Sequence, residues 1–190
     1  MLYREYGRTG KKISVIAAGG MRYADPDDID GSAEIVLKAA KLGINYFDTA
    51  PGYGKNLSEK ILGTALKEIR KLGLEYYVST KCGAPDYDSF MRSLENSLRV
   101  IGEDRIDFMH SWGVNSWEEL EGRQKKGALK AMFEAKEQGL ISHVVCSSHM
   151  SGDDIALLAD KGLFEGITLG FCAINFPFRI SGVKPASKNK

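Results

Sequence analysis

Asn45-Tyr46-Phe47-Asp48-Thr49-Ala50, Ser58-Glu59-Lys60-Ile61-Leu62 and Tyr76-Tyr77-Val78-Ser79-Thr80-Lys81 decide how this chain is read. The first and third are short, apolar and rich in aromatic or β-branched residues, which fits strands. The second opens a helix in which Ile61, Leu62, Ala65, Leu66 and Ile69 fall near helical spacing, and Gly73 ends the unit. A strand, a helix and a strand at a step of about 25–35 residues make one crossover unit, right-handed and with parallel strands.

The same unit repeats on both sides. Upstream lie a strand over 16–20 and a helix over 28–42, the latter with Ile35, Leu37, Ala39, Ala40 and Leu42 on its apolar side. Downstream, helices are predicted over 88–101, 127–138 and 153–160, and strands over 105–110, 143–147 and 167–172. Ahead of all of them, 3–6 and 12–15 flank the turn Gly7-Arg8-Thr9-Gly10 as a hairpin. The strands are mostly apolar rather than strictly alternating, as expected of a parallel sheet covered by helices. Gly19-Gly20 marks a place where backbone approaches something closely. The fold class is therefore α/β. It is expected to be an incomplete TIM-type barrel with an N-terminal β-hairpin and about six β/α units, strands seven and eight missing. Residues 1–180 form its one domain and 181–190 a polar, disordered tail.

Length and composition agree. The chain has 190 residues, and a complete eight-unit barrel needs about 250. Lys plus Arg number 26 against 25 Asp plus Glu. That balance excludes a broad nucleic-acid groove and a polybasic membrane patch. No apolar run is long enough to span a bilayer, and the start lacks a signal core, so the expected location is the cytoplasm. Cys82, Cys146 and Cys172 are too far apart for a thiolate metal site and read as buried thiols. No metal is expected.

The chemistry gathers at one edge. Asp48, Lys81 and His110 each stand at the C-terminal end of a predicted parallel strand, and Tyr53 follows in the next loop. That edge is where ligands and catalytic groups collect in β/α proteins. A lysine beside a tyrosine favours phenolate, so Lys81 is expected to lower the Tyr53 pKa from its free value near 10. Asp48 would offset the cost of burying Lys81. His110 would polarise a carbonyl. The four suit proton delivery to a carbonyl oxygen, with hydride supplied by a cofactor. Ser147-Ser148-His149 offers hydroxyls after strand five, Asn175 follows strand six, and Trp112 stands ready to wall a pocket. The chain has no GxGxxG, no GxxxxGK[ST] and no Gly-x-Ser-x-Gly.

These residues resemble the aldo-keto reductase family. Phe47-Asp48-Thr49-Ala50-Pro51-Gly52-Tyr53-Gly54 with Ser58-Glu59 and Leu62-Gly63 is similar to its first signature. Ser79-Thr80-Lys81 and Ile106-Asp107-Phe108-Met109-His110 resemble its lysine and histidine strands, and 3–15 resembles the opening of many members. The resemblance covers 3–175. It implies NAD(P)H-dependent reduction of an aldehyde or ketone. Tyr53 would be the general acid, Lys81 with Asp48 would tune it, and His110 would orient the carbonyl. NADPH or NADH would lie against Gly20, Asp48, Ser147, Ser148 and Asn175, and a small carbonyl substrate against Met21, Tyr53 and Trp112. Residues 105–149 also resemble a bacterial and archaeal subgroup, some of whose members carry a ferredoxin-like domain. Open barrel edges imply self-association. The second reading is an inactive fragment or a regulatory or binding module of the same fold.

Overall fold

The computed structural model describes residues 1–172, 177, 178, 180 and 181. The hairpin forms first. Strands β1 (Tyr3–Glu5) and β2 (Lys12–Ser14) pair antiparallel, with Tyr3 opposite Ser14 and Glu5 opposite Lys12. Six parallel strands follow, hydrogen-bonded in the order of the chain. They are β3 (Ala18–Gly19), β4 (Tyr46–Asp48), β5 (Tyr77–Cys82), β6 (Ile106–Ser111), β7 (Ile141–Ser148) and β8 (Ile167–Leu169). Among the described residues β3 and β8 are the two edges of an open, curled sheet, as expected of a six-unit incomplete barrel.

The helices α1 (Ile29–Lys41), α2 (Ser58–Lys71), α3 (Tyr87–Ile101), α5 (Ala128–Glu137) and α6 (Gly152–Asp160) are the five that periodicity predicts. Asp28, Asp86 and Ser151 cap α1, α3 and α6 by accepting a backbone N–H of the first turn. A further helix, α4 (Trp117–Lys125), corrects the sequence reading. It buries only Leu120, so no apolar repeat announces it. Its available signal was Ser116-Trp117-Glu118-Glu119: Ser116 Oγ accepts the Glu119 N–H at 3.2 Å, and Glu119 reaches back to the Asn115 N–H at 2.8 Å.

Several strands are shorter than predicted; of 45–50 only Tyr46–Asp48 pairs, and each hairpin strand loses its last residue. Of 16–20 only Ala18–Gly19 pairs, while Val15 and Ile16 lie exposed beside the edge. The last strand stops at Leu169, not 172. Cys82 and Cys146 are buried, but Cys172 is exposed beyond that strand end, which corrects the expectation of three buried thiols. Of the predicted tail, Ser181 is exposed and 182–190 lie outside the described residues.

Side chains alternate across the sheet, so each strand serves two cores. Phe47, Val78, Met109 and Val144 face the helices and meet Ile61, Leu66, Phe90, Leu94, Met132 and Ile155. Burying each such side chain contributes about 1.5–3 kcal/mol. Tyr46, Phe108 and Val145 face the concave side. There Phe108 meets the rings of Tyr6, Tyr46, Tyr77 and His143 at 5.3–5.9 Å. Tyr6 arrives from the hairpin and its hydroxyl pairs with Thr168 Oγ1 at 2.8 Å, tying the floor of the barrel to β8. The strand ends above this aromatic floor carry the polar groups. No helix among the described residues is long and apolar enough to cross a membrane.

Candidate active site

Parallel pairing sets the site. Asp48 is opposite Ser79, and Lys81 is opposite His110. The three ionisable strand ends therefore stand side by side on the concave face. Lys81 is 5% exposed, and its Nζ donates to Asp48 Oδ1 at 2.5 Å and to the Thr49 carbonyl at 2.9 Å. Burial pulls the Lys81 pKa down, against Asp48, which raises it. The ammonium lies 5.0 Å from the centre of the Tyr53 ring. Trp112 meets the same ring edge-on at 5.7 Å.

Tyr53 is aimed by a strained turn. Gly54, Lys55 and Asn56 have φ of 52°, 56° and 67°, three consecutive left-handed residues of which only glycine adopts that region freely. The turn reverses the chain into α2, whose first residues are bonded to the strand ends. Ser58 Oγ pairs with Thr49 Oγ1 at 2.7 Å, and Glu59 Oε1 accepts from Thr80 Oγ1 at 2.7 Å. Thr49 follows Asp48 and Thr80 precedes Lys81, so α2 is locked to both tetrad strands just after Tyr53.

One expected sign is reversed. The Tyr53 pKa lies above its ordinary value, first because the phenol is partly buried and then because Asp48 opposes phenolate. Lys81 does not lower it, since the lysine charge is already matched by Asp48 at 2.5 Å. Tyr53 is thus held protonated at neutral pH.

His110 is fully buried and its pKa is lowered to about 4, first by burial and then by the Lys81 charge. Its Nε2 is 3.3 Å from the Tyr46 hydroxyl, Nδ1 has no partner in strict hydrogen-bond geometry among the described residues, and the Cys146 backbone beside the ring acts as an acceptor that raises the His110 pKa. Tyr46 Oη donates to Ser79 Oγ at 2.9 Å, and Ser79 Oγ donates to Asp48 Oδ1 at 3.0 Å. His110 thus reaches the other tetrad groups through two hydroxyls.

Residues 15–163 match the model of the aldo/keto reductase family. The chain belongs to this family. It is 36% identical over 116 residues to the L-galactose dehydrogenase of Arabidopsis thaliana, covering 56% of this chain and 36% of that protein. It is 28% identical over 159 residues to Protein REDOX 2 of Catharanthus roseus, covering 74% and 48%. The chain therefore spans between about a third and a half of the length of these relatives. The aldo-keto reductase AKR11C1 of Bacillus halodurans superposes with a TM-score of 0.72 at 20% identity, over 89% of this chain and 65% of that one, which is a likeness of fold.

On this aldo/keto reductase frame the predicted residues divide. Asp48, Tyr53, Lys81 and Trp112 are brought together directly, and His110 joins them through Tyr46 and Ser79. Met21 is 53% exposed on the loop after β3. Asn175 lies outside the described residues. The Gly20 N–H is committed to the Asp48 carbonyl at 2.7 Å, and a side chain there would collide with Ser58 Oγ. The Ser148 hydroxyl is buried, donates to the Val114 carbonyl at 2.6 Å and accepts the Met150 N–H at 3.1 Å. Ser147 Oγ accepts the Gly113 N–H at 3.0 Å, and its own proton has no acceptor among the described residues. Of Ser147 and Ser148 at the end of β7, Ser147 is the one whose hydroxyl proton is left uncommitted among the described residues.

Sequence reading missed Tyr46 and Ser79. The signal was there, since both stand two residues before a tetrad member and so share its face of the strand. It also missed Arg123, whose guanidinium donates to Ser111 Oγ at 2.8 Å and to the Trp112 carbonyl at 2.7 Å, fixing the loop that carries Trp112. Arg123 sits on α4, which has no apolar repeat to reveal it.

Proposed function

We propose that this chain carries the catalytic strands of an NAD(P)H-dependent carbonyl reductase acting on an aldehyde or ketone. The observation that carries the reading is Lys81, buried against Asp48 with its ammonium 5.0 Å from the Tyr53 ring. Tyr53 delivers the proton from its hydroxyl to the carbonyl oxygen as that oxygen gains charge. Lys81 then faces a developing phenolate and stabilises it, so the pair acts on the transition state more than on the resting phenol. His110 orients the carbonyl through its ring N–H. A reduced nicotinamide, when bound, supplies the hydride to the carbonyl carbon. Asp48 and Ser147 are the groups that would hold its nicotinamide end. Trp112, edge-on to Tyr53, walls the substrate side and keeps water from the proton donor.

The test is reduction of a simple aldehyde by the chain with NADPH, followed at the cofactor's absorbance. Tyr53→Phe is expected to abolish turnover with the far-ultraviolet spectrum unchanged. Full activity in that variant would reject the proton-donor role.

The open edges β3 and β8 favour a second reading, a binding or regulatory module without turnover. A folded chain that fails to bind NADPH would support it. Unpaired backbone along both edges also supports self-association, edge to edge. Sedimentation as a stable monomer would count against that. The resemblance of 105–149 to a bacterial and archaeal subgroup rests on that stretch alone.

A further inference from the structure

Four buried or half-buried polar groups form one continuous line below the barrel mouth. It runs from His110 Nε2 to Tyr46 Oη, from there to Ser79 Oγ, and on to Asp48 Oδ1, where Lys81 Nζ also ends. Tyr46 is 6% exposed, and Ser79 and His110 are fully buried.

Counting protons gives this line a direction. A carboxylate only accepts, so Ser79 must donate its single proton to Asp48. Ser79 can then touch Tyr46 only as an acceptor, which draws the one phenolic proton of Tyr46 toward Ser79. The Tyr46 oxygen is left with lone pairs alone on the side that faces His110. For that contact to be a hydrogen bond, the proton must sit on His110 Nε2.

We propose that Tyr46 and Ser79 are positioning residues that hold neutral His110 as its Nε2–H tautomer, with the Asp48 carboxylate as the origin of the polarity. Nδ1 is then the bare nitrogen, with no partner in hydrogen-bond geometry among the described residues, and the Cys146 backbone acceptor beside the ring is the group that favours the other tautomer. Burial and Lys81 keep the ring neutral, so one tautomer has to be chosen. The consequence for chemistry rests on the carbonyl-reductase reading above. Only an N–H, not a bare nitrogen, can donate to a carbonyl oxygen. The 3.3 Å contact with Tyr46 lies beyond the usual N–H to oxygen range, so the N–H can be shared with an incoming oxygen at little cost. The geometric argument itself needs no substrate.

The experiment is long-range proton–nitrogen NMR on the chain labelled with ¹⁵N in its histidine rings, without substrate or cofactor. His110 in the unaltered chain is expected as the Nε2–H tautomer at neutral pH. In Tyr46→Phe the acceptor is gone, and the signal is expected to move to a mixture of both tautomers. In Ser79→Ala the Tyr46 proton is free to turn to His110, and the population is expected to move toward Nδ1–H. Ser79→Thr keeps a hydroxyl and should retain the original pattern. An Nδ1–H tautomer in the unaltered chain would overturn the proposal, and so would identical histidine spectra in Tyr46→Phe and Ser79→Ala. The first measurement stands whether or not the variants fold. Failure of the Tyr53→Phe activity test would sink the carbonyl-reductase reading and leave the tautomer result untouched, so the two can fail separately.

Discussion

Lys81 Nζ stands 2.5 Å from Asp48 Oδ1, and that contact decides what the lysine does to the neighbouring phenol. A lone buried ammonium 5.0 Å from the Tyr53 ring would favour phenolate. Paired with a carboxylate it presents little net charge, and burial of the phenol dominates. The resting site is therefore a protonated tyrosine above a matched ion pair.

Separating the pair should move Tyr53 in opposite directions. Asp48→Asn leaves Lys81 without its counter-charge and is expected to lower the Tyr53 pKa below that of the unaltered chain. Lys81→Met leaves Asp48 facing the phenol and is expected to raise it further. Titration of ¹³C-labelled tyrosine rings, with Tyr53→Phe for assignment, reads both. Shifts of the same sign in the two variants would contradict the account.

His110 makes stability depend on acid. Its folded pKa is about 4 against 6.5 for a free ring. Between those values the unfolded chain binds a proton that the folded chain refuses, so stability is complete above pH 6.5 and falls as pH drops toward 4. The loss between pH 7 and pH 5 from this group is about 2 kcal/mol. Urea unfolding at the two pH values measures it. His110→Phe should remove most of this pH dependence, and an equally steep dependence in that variant would assign it elsewhere.

Gly63 tests packing against propensity. It lies inside α2, where alanine alone would add about 1 kcal/mol to helix stability. A methyl group there would instead press into the Ile101 carbonyl of α3. Gly63→Ala is therefore expected to destabilise by about 1–3 kcal/mol. Gly122, inside α4 with open space where its Cβ would go, is the control. Gly122→Ala is expected to stabilise by about 0.5–1 kcal/mol. Urea midpoints of the two variants should move in opposite directions.

Glu59 and Thr80 form a buried bond whose loss is asymmetric. Thr80→Val removes a hydroxyl donor from the Glu59 carboxylate, which is 3% exposed, whose pKa burial raises, and which Ser97 and the Lys81 charge also stabilise. That should cost about 1–3 kcal/mol or more. Adding Glu59→Met removes the carboxylate as well, and the double variant is expected to recover part of the loss. Purely additive costs in chemical unfolding would show that the bond is not what holds the two residues.

Several features were legible because they depend on local pattern. The Tyr76-to-Lys81 run reads as a strand from its own residues, and 88–101 as a helix from the spacing of Phe90, Leu94 and Ile101. The tetrad was legible because strand ends in parallel units share one edge. Helix α4 was not, since it lies over the surface and needs only Leu120 in the core. The fate of Ser148 was not legible either. Nothing in Ser147-Ser148 tells which hydroxyl bonds to the backbone until Val114 and Met150 are in place.

Sequence by itself determined the order of the strands and of every helix but α4, and with it the set of residues at the concave edge, because periodicity and crossover geometry act over tens of residues. Tertiary structure alone decided the electrostatics within that set. Whether Lys81 acts on Tyr53 as a free charge or as half of a neutral pair depends on ångström-scale distances between strands β4 and β5. Whether His110 is linked to Asp48 depends on two hydroxyls, Tyr46 and Ser79, whose meeting no local pattern encodes.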